Sequence, residues 1–244
     1  MKKNLIGLSL IGILLGFAGG FLIANALNRS QIDKLLAENT RLAKAAPESS
    51  PSAADSSLTD EEINERLAQA AKNPEDFGFQ KGLGLALYSY AAKKQDARLL
   101  AEVAILLDRA HKLNADDYQV LVSFGNVSFD LGQINKDADR NLKARELYQK
   151  ALAKNPKDTE VVTDLGLTYL LADQQDLKRA DENLSKALAQ NPNYERAVQY
   201  MTQTKIALRE ADEAAKYLEK LKSINPNNPG MRELETQLAQ IKVQ

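Results

Sequence analysis

Residues 148–158 read YQKALAKNPKD, residues 184–194 read LSKALAQNPNY, and residues 218–228 read LEKLKSINPNN. They are three versions of one helix end, each closing on Asn-Pro. Proline disfavours helical geometry in the residue before it, so each pair marks a stop. An alanine lies four residues ahead of each segment, at Ala144, Ala180 and Ala214. A further Asn-Pro stands at 73–74, and Asn114-Ala115 takes the equivalent place between it and the others. The helices that would precede these carry GLGLALY (82–88), SFGNVSF (123–129) and DLGLTYL (164–170). From Leu58 onward the pattern is helical, with no convincing strand.

A period of this kind is the sign of a repeat architecture. Aligned on the Asn-Pro pairs, the chain resembles the tetratricopeptide repeat, a helix-turn-helix unit of about 34 residues. The units are 77–117, 118–158, 159–194 and 195–228, and together they span 152 of the 244 residues. The first two run about seven residues over that length, roughly two helical turns. In the first, YSYAAKKQDARLL is expected to lengthen the helices; in the second, LGQINKDADRN is expected to lengthen the turn. The fourth departs most, with Met201-Thr202 where the family prefers Leu-Gly, and a looser helix contact is expected there. The resemblance implies an all-α fold, a TPR-type α-solenoid of stacked pairs.

Small residues explain how such pairs close. Gly84, Gly125 and Gly166 would let each first helix approach its second, with Ala144, Ala151, Ala180 and Ala187 facing them. A helical pair cannot bury its apolar face alone, so repeats stack and their ends need caps. Residues 59–72 would cap the front, opened by the capping box Thr59-Asp60-Glu61-Glu62. Residues 229–242 would close the back, with Met231, Leu234, Leu238 and Ile241 on one stripe.

Ahead of the solenoid, at 58–244, lie two other regions. Residues 1–28 hold Met-Lys-Lys and then an uncharged run from Asn4 to Asn28, closed by Arg29. As a helix this run would reach roughly 37 Å, enough to cross a hydrocarbon core of ~30 Å. Ala24-Asn25-Ala26 also fits a signal-peptidase pattern, but the apolar stretch exceeds the 7–15 residues of a signal peptide. The expectation is one transmembrane helix that stays, with cleavage as the rival. Gly12, Gly16, Gly20 and Ala24 fall near one face of it, a small-residue stripe suited to pairing two such helices. Residues 29–57 begin with a helical segment whose Ile32, Leu35, Asn39 and Leu42 take heptad positions. It reads either as a continuation of the anchor or as a paired coil, followed by the flexible linker APESSPSAADSS at 46–57. The short basic head favours a cytoplasmic amino end, which places the solenoid on the periplasmic side of a bacterial-type inner membrane. Charges at Arg29, Lys34, Arg41 and Lys44 weigh the other way.

Chemistry is sparse. There is no cysteine and a single histidine, His111, which reads as a helix-end residue. No catalytic residue, no cofactor site and no metal site is expected, and the chain does not read as an enzyme. GLGLALY resembles a phosphate loop only superficially, since it lies within a helix and follows no strand. A formal net charge of −1 gives no basis for nucleic acid as a partner.

What remains is a surface. In the tetratricopeptide family the first helices of successive repeats line a concave groove, and the matching positions can be read off. They are Lys81, Leu85 and Tyr88 in the first repeat, and Gln119, Val122, Asn126 and Phe129 in the second. The third offers Thr163, Leu167 and Leu170, and the fourth Arg196, Gln199 and Gln203. Some family members hold a peptide carboxylate with Lys, Arg and Asn groups spread over three repeats. Lys81 matches one such position, but Leu85 replaces an Asn, and Glu160 and Asp164 stand where bases are needed, so that clamp is not expected. Burial of Leu85, Leu167 and Leu170 between helices stays open as the competing reading. The resemblance implies a membrane-tethered adaptor whose groove takes a peptide or helix of a partner, with envelope protein assembly or cytochrome c assembly as narrower cases. The alternative is a self-associating structural component, a homodimer paired through the glycine-rich anchor.

Overall fold

A computed structural model describes residues 59–242. The expectations for 1–28 and 29–57, including Gly12, Gly16, Gly20 and Ala24, fall outside the described residues. Within them the chain is helical throughout: α1 (Asp60–Lys72), α2 (Phe77–Lys94), α3 (Ala97–Leu113), α4 (Tyr118–Asn135), α5 (Ala138–Lys154), α6 (Thr159–Leu170), α7 (Leu177–Gln190), α8 (Glu195–Ala207), α9 (Ala211–Ile224) and α10 (Met231–Lys242). No helix among them is long and apolar enough to cross a membrane. They fall into two compact units, 59–120 and 121–242.

One local device ends every second helix. Asn73, Asn114, Asn155, Asn191 and Asn225 each sit just past a helix in a non-helical conformation. The amide three residues further on then donates to the asparagine carbonyl, from Asp76 (3.2 Å), Asp117 (3.4 Å), Asp158 (3.3 Å), Tyr194 (3.1 Å) and Asn228 (3.1 Å). Asn114 has φ −144° and ψ 92°, close to the values of the Asn-Pro positions although alanine follows it. Its side-chain Oδ1 accepts from the Asp116 amide at 3.1 Å, the same bond that Asn191 and Asn225 make with the Asn193 and Asn227 amides in the Asn-Pro turns. The same turn delivers the next cap. Asp76, Asp117 and Asp158 accept from Phe79, Val120 and Val161 at 2.9–3.0 Å, each at the start of the following helix.

The turns inside the pairs are equally regular. Gln95, Lys136 and Arg209 take φ of 55°, 53° and 62°. The amide after each reaches back to close the helix, Asp96 to Ala91, Asp137 to Gly132 and Glu210 to Lys205, all at 2.9 Å. The expectation that LGQINKDADRN lengthens the turn is corrected here. α4 continues through Asn135 and α5 begins at Ala138, so the added residues extend the helices. Gly132 is not a breaker: a Cβ there would lie 2.6 Å from Asn141 Oδ1, so glycine serves close approach. The longer connection belongs to the third pair, where residues 171–176 separate α6 from α7.

In the unit 59–120, α1 packs on α2 and α2 on α3. The capping box opens α1, with Glu62 N donating to Thr59 Oγ1 (3.2 Å) and Thr59 N to Glu62 Oε2 (2.8 Å). Gln80, fully buried, fastens the other end of α1 by donating to the carbonyls of Ala70 (2.7 Å) and Asn73 (2.9 Å). Leu87, Leu100, Val103, Leu106 and Leu107 form the core between α2 and α3. Each such side chain contributes about 1.5–3 kcal/mol by leaving water.

In the unit 121–242 each helix packs on its chain neighbours, and α8 also touches α6 and α10. Glycine sets the approach within pairs: a Cβ on Gly125 would lie 2.6 Å from Tyr148 Cε1, and one on Gly166 3.2 Å from Leu184 Cγ. Gly84 plays this part in the other unit, against Leu107. In the fourth pair Met201 and Thr202 are fully buried, and Thr202 Oγ1 donates to the Val198 carbonyl at 2.9 Å, so the hydroxyl is satisfied within its own helix.

Candidate protein-binding face

The first helices of the pairs, α2, α4, α6 and α8, carry the residues expected to face a partner. In the unit 59–120, Lys81 projects from α2 and pairs with Asp117 at 2.8 Å, so its charge is already engaged. Leu85 and Gln119 are half-buried. Tyr88 is 1% exposed and belongs to the core.

In the unit 121–242, Val122, Asn126 and Gln203 are half-buried. Asn126 Oδ1 accepts from the Tyr148 hydroxyl at 2.8 Å, which turns the amide into a fixed group. Gln203 has its Oε1 enclosed with no hydrogen-bond partner among the described residues. The other expected groove residues are corrected: Phe129, Thr163, Leu167 and Leu170 are buried, and α6 has every side chain from Val161 to Leu170 out of solvent. The reason is packing. α6 is flanked by α5, α7 and α8, so its polar face is covered along with its apolar one. Thr163 and Thr168 tolerate this by donating to the carbonyls of Thr159 and Leu165, both at 2.7 Å.

Arg196 and Gln199 are also inside. Arg196 forms an ion pair with Asp164, each side chain 5% exposed. Burial works to lower the Arg196 pKa, but Asp164, with Tyr194, Tyr200 and Glu160 adding to it, outweighs burial and holds the guanidinium firmly charged. Burial pushes the Asp164 carboxyl up against the pull of Arg196, and pushes the neighbouring Tyr200 hydroxyl up to about 12. Gln199 Oε1 accepts from Asn228 Nδ2 at 3.0 Å, and Glu195 Oε1 accepts from Asn225 and Asn228 at 2.7 Å. This network clamps the turn before α10 onto α8. Sequence reasoning named Asp164 and Arg196 separately and missed their pairing. The available signal was opposite charge on successive first helices.

His111 is half-buried in the last turn of α3. Among the described residues no three His, Asp or Glu side chains are grouped to hold a metal.

Residues 171–238 match the family model of the tetratricopeptide repeat. That stretch runs from the α6–α7 connection into α10, and so includes the whole fourth pair. No curated protein matches the sequence. Among solved structures, MamA 41-end from Desulfovibrio magneticus RS-1 aligns with a TM-score of 0.56 at 18% identity, covering 69% of this chain and 86% of that one. A crystal structure of MamA gives 0.55 at 21% identity, over 70% and 90% of the two chains. A tetratricopeptide repeat protein from Parabacteroides merdae ATCC 43184 gives 0.55 at 19% identity, over 75% and 68%. At these identities the likeness is one of fold: an all-helical, tetratricopeptide-like arrangement.

Proposed function

We propose that the protein is a membrane-tethered scaffold whose first helices bind a peptide or helix of a protein partner. The observation that carries this reading is the stacked-pair fold, which leaves Leu85 and Gln119 in one unit and Val122, Asn126 and Gln203 in the other within reach of solvent along the first helices. These groups combine aliphatic surface with amides, the mixture that a helix or extended segment needs. The tether is residues 1–28 acting as a single-pass anchor, with 29–57 as spacer and the repeats on the periplasmic side. An envelope assembly client, an apocytochrome among them, fits that placement.

Site-specific photo-crosslinking tests the reading. A benzophenone residue at Gln203 or Val122 of the full-length protein in native membranes is expected to capture one discrete partner, and the same probe at exposed Arg232 on α10 is not. Equal capture from all three sites, or none from Gln203 and Val122, would sink it. A carboxy-terminal reporter fusion reads the topology. Gly16→Ile with Gly20→Ile is expected to remove any self-association made through the anchor while leaving partner capture intact.

A further inference from the structure

Tyr169, next to last in α6, is 5% exposed, yet two arginines lie against its ring. The Arg145 guanidinium of α5 is 4.3 Å from the ring centroid, and that of Arg179, in the first turn of α7, is 5.5 Å away. Arg145 is locked in place. Its Nε donates to Thr168 Oγ1 at 3.1 Å, and its Nη2 donates to the Thr168 carbonyl. Both bonds use one edge of the fork.

The charges around this pair are unbalanced. Asp176 is the adjacent acid, and it is committed: its Oδ1 accepts the Arg179 amide at 3.0 Å, and its Oδ2 lies 3.4 Å from Arg179 Nε. Among the described residues Arg145 has no carboxylate within ion-pair distance. Burial pushes the Arg145 pKa down and Arg179 adds to the fall, while Tyr169 and Asp176 oppose it. A half-buried guanidinium beside a second one, with its rotamer fixed and no carboxylate in direct contact, is costly as a structural element. The aromatic contact offsets only part of that cost.

The geometry points to Arg145 and Arg179, set on Tyr169, as a docking point for carboxylates of an acidic protein segment. A fixed guanidinium binds a carboxylate with little further loss of side-chain freedom. Two cations at short range suit one or two carboxylates. A nucleic acid needs a longer basic track, and the net charge of −1 offers it no attraction. The site is built on the second helices, α5 and α7, so it does not rest on the first-helix reading above.

The test uses the full-length protein and a fluorescein-labelled hexaglutamate peptide, followed by anisotropy at low salt. Saturable binding is expected, with none for the hexaglutamine analogue and no displacement by millimolar inorganic phosphate. Arg179→Gln and Arg145→Lys should each weaken binding about tenfold, the second because charge remains while the planar fork is lost. Lys186→Gln, an exposed charge elsewhere on α7, should leave it unchanged. Absence of saturable binding, displacement by phosphate, or equal affinity in the folded Arg179→Gln protein would overturn the proposal. Arg179 is itself exposed, so its variant decides the matter even where Arg145 substitutions unfold the chain.

Discussion

Asp164 on α6 and Arg196 on α8 form an ion pair buried between the first helices of successive repeats. Asp164→Ala leaves a buried guanidinium without its carboxylate, and is expected to lower stability by about 3–5 kcal/mol. Urea unfolding followed by circular dichroism measures it. The double change Asp164→Leu with Arg196→Met should cost much less than the sum of the single changes, because neither charge is then stranded.

Tyr200, beside that pair, carries a hydroxyl raised from 10.0 to about 12 by burial. A raised folded-state value means the contribution is fully present below pH 10 and is lost as pH rises through about 12. Stability read by urea unfolding should therefore fall as pH rises from 10.0 toward about 12, and Tyr200→Phe should flatten that step. A step unchanged in Tyr200→Phe would contradict the assignment.

Glu62 closes the capping box of α1, and its bond from the Thr59 amide holds its carboxyl below the ordinary 4.5. A lowered folded-state value means its contribution is present above that pH and is lost as pH falls through the lowered value. The protection of the Thr59 amide against exchange, taken relative to its intrinsic rate at each pH, should fall on acidification in that window. In Glu62→Gln the same amide should show no such pH dependence.

The glycines form a graded series. A methyl group added at Gly82 would meet nothing within 4 Å, so Gly82→Ala should raise stability by about 0.5–1 kcal/mol. Gly125→Ala sets a Cβ against the ring of Tyr148, which its bond to Asn126 holds in place, and should cost about 1–3 kcal/mol. Gly166→Ala, facing Leu184 at 3.2 Å, should fall between them. Thermal melts rank the three.

Lys136 and Arg209 hold left-handed backbone that ordinarily favours glycine. Lys136→Gly and Arg209→Gly should each stabilise by up to about 1 kcal/mol, and Lys136→Val should destabilise, as read from urea midpoints. Equal midpoints for Gly and Val would show that the turn is not strained.

The sequence by itself determined the helix ends and the pairing of helices. Asn-Pro, the aspartates that follow it, and Gly125 and Gly166 act within a turn or across one helix pair, and such local rules can be read from spacing. It also contained the fold class, because four weak copies in register exclude most alternatives. Only the tertiary structure decided which first-helix residues remain within reach of a partner. Periodicity identifies one apolar face, and it reads Thr163, Asp164 and Arg196 as solvent-facing because they are polar. α6 is covered by α5, α7 and α8 together, so those residues are buried with their needs met internally, the threonine by its own helix and the charges by each other. The stacking of Arg145 and Arg179 on Tyr169 was hidden for the same reason: three helices must pack before the three side chains meet.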